Sequence, residues 1–137
     1  MAIHKFTRLI DEGKEIQMFG DGTSKRDYTY ISDIIDGIMA AFLKPFEFEI
    51  INLGDSRTVE LRYLIDLIEQ ALGKKANINQ LPPQPGDVPI TFADISKARA
   101  LLGYIPKVDI ETGIQKFVKW YSQQNHGGRH IETDSFR

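Results

Sequence analysis

The sequence predicts an α/β fold, a small mixed sheet with several helices. Two observations predict it. Apolar residues recur at steps of three and four in five segments, and short runs of β-favouring residues lie between those segments. The resulting order is helix, strand, strand, helix, strand, helix, strand, helix, helix, which layers helices on a sheet.

The first helix spans residues 2–13, with Ile3, Phe6, Leu9 and Ile10 on one face and Gly13 at its stop. Met1 stands at its entrance with neither a cap nor a preceding strand, the pattern expected inside a longer chain. Ile16 to Phe19 reads as a short strand closed by the turn Gly20-Asp21-Gly22-Thr23-Ser24. Tyr28, Tyr30 and Ile31 read as a second extended segment.

Ser32 is a suitable N-cap for the next helix, and Asp33 and Asp36 complement the positive end of its dipole. That helix carries Ile34, Ile35, Ile38, Met39 and Phe42 and ends before Pro45; so broad a stripe predicts burial on more than one side. Phe48 to Leu53 reads as a strand stopped by Gly54-Asp55, and Thr58 to Leu72 contains a helix ended by Gly73. Asn77 to Leu81 reads as a strand. Four of the six prolines then fall between 82 and 89, so the loop is stiff. Asp94 and Asp109 are expected caps for the last two helices. The first of these ends at Gly103, and the second carries Ile110, Ile114, Phe117, Val118 and Tyr121.

The 137 residues form one expected domain over 1–122 and a polar tail, expected to fray, over 123–137. Hydrophobic residues make up 42% and charged ones 26%, an ordinary soluble composition, and the net charge of −2 argues against nucleic acid as a partner. The absence of cysteine excludes disulfides, thiolate catalysis and Cys-ligated metals. No apolar stretch reaches the ~20 residues a membrane helix needs, and no signal peptide opens the chain, so no membrane is expected and the expected location is cytoplasmic.

The most chemical-looking segment is Gly20-Asp21-Gly22 followed by Lys25-Arg26-Asp27-Tyr28. Glycines let backbone N–H groups approach a ligand, and an arginine grips a phosphate through two parallel hydrogen bonds. A tight turn beside a solvated Arg26 is the structural alternative. The spacing Gly-x-Gly-x-x-Lys is not the dinucleotide fingerprint, and no P-loop is present. Pro83-Gln84-Pro85-Gly86-Asp87 either presents Asp87 to a polar ligand or merely connects two elements. His126 and His130 have helical metal spacing, but two glycines intervene, so no metal site is expected. His4 reads as exposed or capping, and the aromatics Phe6, Phe42, Phe117, Trp120 and Tyr121 read as core. Nothing resembles a nucleophile elbow, and no catalytic centre is visible.

The run from Ile16 through Gly20-Asp21-Gly22 and Arg26-Asp27-Tyr28 to Asp33 resembles the nucleotide-sugar epimerases and dehydratases of the extended short-chain dehydrogenase/reductase family. Ile51-Asn52-Leu53-Gly54, Pro85-Gly86-Asp87-Val88-Pro89, Leu102-Gly103-Tyr104-Ile105-Pro106 and the final Gly113-Ile114, Phe117-Val118 and Trp120-Tyr121 follow in register. Together they cover nearly the whole chain, and their wording is most similar to the UDP-glucuronate and UDP-glucose 4-epimerases of that family. The resemblance is to the C-terminal, nucleotide-sugar-binding part. Four residues after Tyr28, Tyr30, Tyr63, Tyr104 and Tyr121 come Ser32, Ile34, Leu67, Val108 and Asn125, so the family's Tyr-x-x-x-Lys pair is missing, as is its glycine-rich NAD turn.

The resemblance therefore implies a UDP-sugar or other nucleotide diphosphate sugar as ligand. NAD would belong only to the intact parent enzyme, and the N-terminal Rossmann domain would be the partner. The parent would oxidise and re-reduce the sugar C4, which this chain alone is not expected to do. The resemblance implies that the segment Glu15 through Gly20 lies along the base and ribose, with Ile16, Gln17, Met18, Phe19 and Gly20 as its binding residues, and that Arg26 holds the diphosphate. Asn52 would lie near the phosphate end, and the loop carrying Gln84 and Asp87 would close over the nucleotide, with Asp87 taking a ribose hydroxyl. Many relatives have arginine where this chain has Gln84, which leaves Arg26 as the main diphosphate partner. Two other readings remain: the same domain of a dehydratase or decarboxylase, and a stand-alone interaction or scaffold domain whose Ile34–Phe42 stripe covers a partner protein. An uncovered stripe would also promote self-association.

Overall fold

A computed structural model describes residues 2–126. In chain order the elements are α1 (Ala2–Asp11), β1 (Glu15–Phe19), β2 (Lys25–Asp27), α2 (Ile31–Leu43), β3 (Thr58–Glu60), α3 (Leu61–Leu72), β4 (Asn77–Leu81), β5 (Ile90–Thr91), α4 (Ser96–Leu102) and α5 (Ile110–His126). The class is α/β, but the strands form two small sheets rather than one. β1 runs parallel to β4, with Ile16 opposite Ile78. β2 lies between antiparallel β3 and parallel β5, so Arg26 faces both Val59 and Thr91 in register and this sheet is mixed.

The main core forms where the amphipathic faces of α1, α3 and α5 meet β1. Phe6 and Ile10, Leu64, Ile65 and Ile68, and Ile114 and Val118 pack around Ile16 and Met18. The alternation of β1 drives the last two inward, because successive side chains on a strand point to opposite faces. A second cluster of Ile95, Ala98 and Tyr104 gathers Ile51 and Leu53 beneath α4.

Several local expectations are corrected. Residues 28–30 are not a strand; the strand is Lys25–Asp27, and α2 begins at Ile31 with Tyr30 as its N-cap and no capping side chain, in place of Ser32. Thr58–Glu60 pairs with β2 instead of opening α3. Ile95, not Asp94, is the N-cap of α4, although Asp94 Oδ1 still accepts the Ser96 N–H at 2.9 Å. Asp109 Oδ1 accepts the Thr112 N–H at 2.8 Å at the start of α5, and this helix runs on to His126. The remainder of the run from His126 to His130 falls outside the described residues.

The segment 48–53 joins no ladder among the described residues. A strand needs a neighbouring backbone to pair with; here Ile51 and Leu53 pack on the second cluster while Phe48 and Ile50 are exposed. The broad stripe of α2 is likewise covered on one side only. Gly37 is buried, its Cα so close to Leu53 that an added Cβ would meet the leucine methyls at 2.7 Å. Asp33 Oδ2 accepts the Lys107 and Val108 N–H groups at 3.0 Å each, fixing the helix to the segment before α5. Ile31, Ile35, Ile38, Met39, Phe42 and Leu43 remain exposed. Phe42 and Trp120 are therefore not core, whereas Phe6 and Tyr121 are. His4 is exposed, edge-on to Phe117 and Tyr121 at 6.1 Å. No helix among the described residues is long and apolar enough to cross a membrane.

Candidate anion site

Gly20 extends the β1–β4 pairing by donating its N–H to Leu81 O at 2.9 Å. The chain then reverses through Gly20 and Gly22, at φ 75° and 85°, in the left-handed region where glycine carries no Cβ penalty. Asp21 stiffens this reversal: its Oδ1 accepts the Thr23 hydroxyl at 2.5 Å and the Thr23 N–H at 3.0 Å. Those two bonds, the hydroxyl first, hold the Asp21 carboxyl below its ordinary pKa. Arg62 at the start of α3 donates its backbone N–H to Gly22 O at 3.0 Å, anchoring the reversal to the main core.

The chain next delivers Arg26 on β2. Its Nη1 donates to Lys25 O at 2.8 Å and its Nη2 to Asp87 Oδ1 at 2.6 Å. Asp87 arrives from the far side through a tight turn in which its N–H donates to Gln84 O at 3.1 Å. Pro85 pre-sets the first central position of that turn. Gly86, at φ 85°, supplies the positive angle that a type II turn requires at the second. Burial raises the Tyr28 phenol pKa despite the nearby Arg26 charge, which opposes the shift.

Asp27, the next residue on the strand, has a different task. Its Oδ1 accepts the Asp55 N–H at 3.0 Å and the Thr29 hydroxyl at 3.2 Å, and its Oδ2 accepts the Ser56 and Ala93 N–H groups at 2.9 and 3.1 Å. One carboxylate thus joins β2 to the turn after Asn52 and to the chain leaving β5. Sequence reasoning assigned Asp27 no role; the only local signal is that its side chain must face away from that of Arg26 on an extended strand.

The structure distributes the sequence-predicted residues as follows. Arg26 and Asp87 are brought into contact, and Gln84 shares the turn of Asp87. Gly20 lines a cleft of about 690 Å³ with Asp21, Gln80, Leu81, Pro82 and Pro83. Asn52 lines a separate cleft of about 520 Å³ with Asp27, Thr29, Gly54 and Phe92. Ile16 and Met18 are fully buried in the main core, so their side chains do not reach a ligand; on β1 it is Glu15, Gln17 and Phe19 that present side-chain surface. A third cleft, about 440 Å³ between Lys25, Arg57, Tyr63 and Glu111, contains none of the predicted site residues.

The Gly20–Gly22 reversal does not fit a dinucleotide. It joins two strands, whereas the dinucleotide turn places the pyrophosphate at a helix N-terminus. Among the described residues no group of three or more His, Asp or Glu could hold a metal.

Comparison with known proteins shows the family of the chain. The family described as GDP-mannose 4,6 dehydratase matches residues 1–117. The chain is 52% identical over 121 residues to the uncharacterised protein MJ1055 of Methanocaldococcus jannaschii, covering 88% of this chain and 37% of that protein. It is 44% identical over 126 residues to the UDP-glucuronate 4-epimerase of Thermodesulfobacterium geofontis, covering 91% of this chain and 38% of the relative. The crystal structure of UDP-glucuronic acid 4-epimerase from Bacillus cereus in complex with UDP-glucuronic acid and NAD superposes with a TM-score of 0.78 and 37% identity, over 88% of this chain and 40% of that one. The chain thus spans about two-fifths of the length of the proteins it matches, and the fold corresponds to their C-terminal part.

Proposed function

The chain belongs to the GDP-mannose 4,6 dehydratase family, the nucleotide-sugar epimerases and dehydratases of the extended short-chain dehydrogenase/reductase fold, and on that premise we propose that it is the UDP-sugar-binding part of an NAD-dependent 4-epimerase, inactive by itself. The observation that carries the reading is the placement of Arg26. A diphosphate needs fixed positive charge, and a guanidinium held on a strand supplies two parallel donors to it. Asp87, in contact with Arg26, has a second carboxylate oxygen that accepts a ribose hydroxyl. The cleft lined by Gly20, Leu81, Pro82 and Pro83 is the surface this reading assigns to the base and ribose. Nothing in these residues moves a hydride or a proton, and the 137 residues contain neither the dinucleotide fingerprint nor a Tyr-x-x-x-Lys pair. Chemistry at the sugar, and the NAD it uses, belong to the remainder of a longer enzyme.

The exposed face of α2 supports this division, as do the exposed side chains of Phe48 and Ile50. Contiguous apolar surface of that kind is unusual on a monomer, and the unpaired 48–53 segment lies beside it. In this reading both dock on the N-terminal Rossmann half. The same face also favours a second reading, a free-standing interaction domain that covers a partner protein with it and needs no nucleotide.

Calorimetric titration of UDP separates the two. The nucleotide reading expects a Kd of ~0.1–1 mM. Arg26→Ala is expected to weaken it at least ~10-fold, since a charge-assisted contact contributes about 1.5–3 kcal/mol. Equal affinity in both proteins removes Arg26 from the site, and no binding in either leaves the interaction-domain reading. Addition of UDP-glucuronate and NAD to the chain alone is expected to give no epimerisation.

A further inference from the structure

We propose that Asp87 is an internal competitor for Arg26, a tethered carboxylate that occupies the guanidinium in the free protein and yields it only to a multiply charged anion. The inference rests on the reading of Arg26 as an anion site and goes beyond it by assigning the site's charge selectivity to a residue. Both ends of the contact are set by backbone. Arg26 is held on β2, between β3 and β5, and Asp87 is placed by the Pro85–Gly86 turn, 61 residues away in sequence. The two side chains remain 28% and 45% exposed, so an incoming ligand can reach and part them.

With Nη1 donating to Lys25 O and Nη2 to Asp87 Oδ1, the outer edge of the fork already holds an anion at 2.6 Å. A carboxylate tied to the same molecule acts at a high effective concentration. A singly charged anion brings no more charge than the group it must replace. A diphosphate brings more charge and several acceptor oxygens, and it can engage the fork through two bonds. Displacement also frees Asp87, which then has both oxygens available for a ligand hydroxyl. Loop and ligand therefore compete before they cooperate. Inorganic pyrophosphate, which has no ribose, should release the 84–88 loop, whereas UDP should release it and then re-engage it.

The test titrates inorganic pyrophosphate, followed by NMR, into the full chain as wild type, Asp87→Asn, Arg26→Ala and Asp36→Asn, after circular dichroism has shown each to be folded. Asp36 pairs with Lys107 and controls for net charge. Asp87→Asn is expected to bind pyrophosphate about two- to five-fold tighter than wild type, the range set by the strength of exposed ion pairs, with the gap shrinking as salt rises. Asp36→Asn should match wild type, and Arg26→Ala should bind weakest. Asp87→Asn no tighter than wild type while Arg26→Ala weakens binding would overturn the proposal and leave the anion site standing. Equal binding by Arg26→Ala and wild type would remove the site itself. Equal tightening by Asp36→Asn and Asp87→Asn would reduce the effect to net charge and overturn the proposal. If Asp87→Asn fails to fold, hydrogen exchange on wild type decides. Faster exchange at 84–88 with pyrophosphate supports the displacement, and unchanged or slower exchange overturns it.

Discussion

Asp27 Oδ2 lies 2.8 Å from the point that a Cβ on Gly54 would occupy, and the Ala93 Cβ lies 2.5 Å from the same point. Neither neighbour can yield. The carboxylate is fixed by four hydrogen bonds, and an alanine Cβ moves only with its backbone. Gly54→Ala should therefore destabilise the chain by ~1–3 kcal/mol, the usual cost of overpacking. A fall in the urea midpoint at unchanged slope would show it, and an unchanged midpoint would contradict it.

The uncovered side of α2 makes a prediction about association. Ile35 and Phe42 are both exposed on it, and apolar patches left open draw copies together. Sedimentation velocity of the wild-type chain should show a sedimentation coefficient that rises with concentration. The double change Ile35→Lys and Phe42→Lys should leave a monomer at every concentration, with its thermal midpoint little altered.

Thr7 on α1 is fully buried, and its hydroxyl has no hydrogen-bond partner among the described residues. An unmet buried polar group costs roughly 1–3 kcal/mol, and valine has nearly the same shape. Thr7→Val should stabilise the chain by about 1 kcal/mol in chemical denaturation. Loss of stability would mean that the hydroxyl is satisfied in solution.

Glu69 near the end of α3 is nearly buried and closes the α3–β4 connection, with Oε1 accepting the Ala76 N–H at 2.8 Å and Oε2 accepting from Lys75 Nζ at 2.5 Å. Burial raises its pKa, but the Lys75 hydrogen bond, the Ala76 N–H and the Lys75 charge together outweigh burial and leave it below the ordinary 4.5. A carboxyl lowered on folding contributes stability above its unfolded pKa and loses that contribution as pH falls through the folded value. Unfolding free energy should thus be flat near neutrality and decline below about pH 4.5, and Glu69→Gln should shallow the decline. Identical acid limbs for the two proteins would remove Glu69 as a source.

Sequence legibility followed the range of the interactions. The stiffness of the 82–89 loop was readable because proline fixes its own backbone angle whatever surrounds it. Gly73 and Gly103 were readable on equally local grounds, and they sit in the left-handed conformation directly after α3 and α4. The segment 48–53 misled because β-branched and aromatic composition reports fitness for a sheet, not the presence of a neighbouring strand. Thr58–Glu60 misled in the opposite sense, its partner being β2, more than thirty positions away in the chain. At the site, Arg26 and Asp87 were each visible, but their contact spans 61 residues and appears only after folding. Ile16 and Met18 were assigned to the ligand because the run around them was legible, while the face they occupy was decided by α1, α3 and α5.

Because Arg26 and Asp27 are neighbours on one extended strand, moving β2 by a single position would exchange a cation for an anion on the face that Arg26 occupies. The polarity of this surface is accordingly a matter of alignment as much as of composition. The four N–H and O–H donors that converge on Asp27 act as a detent, since any slip would have to break them together. The alignment of the strand and the sign of the charge it presents are thus coupled through one pair of adjacent residues.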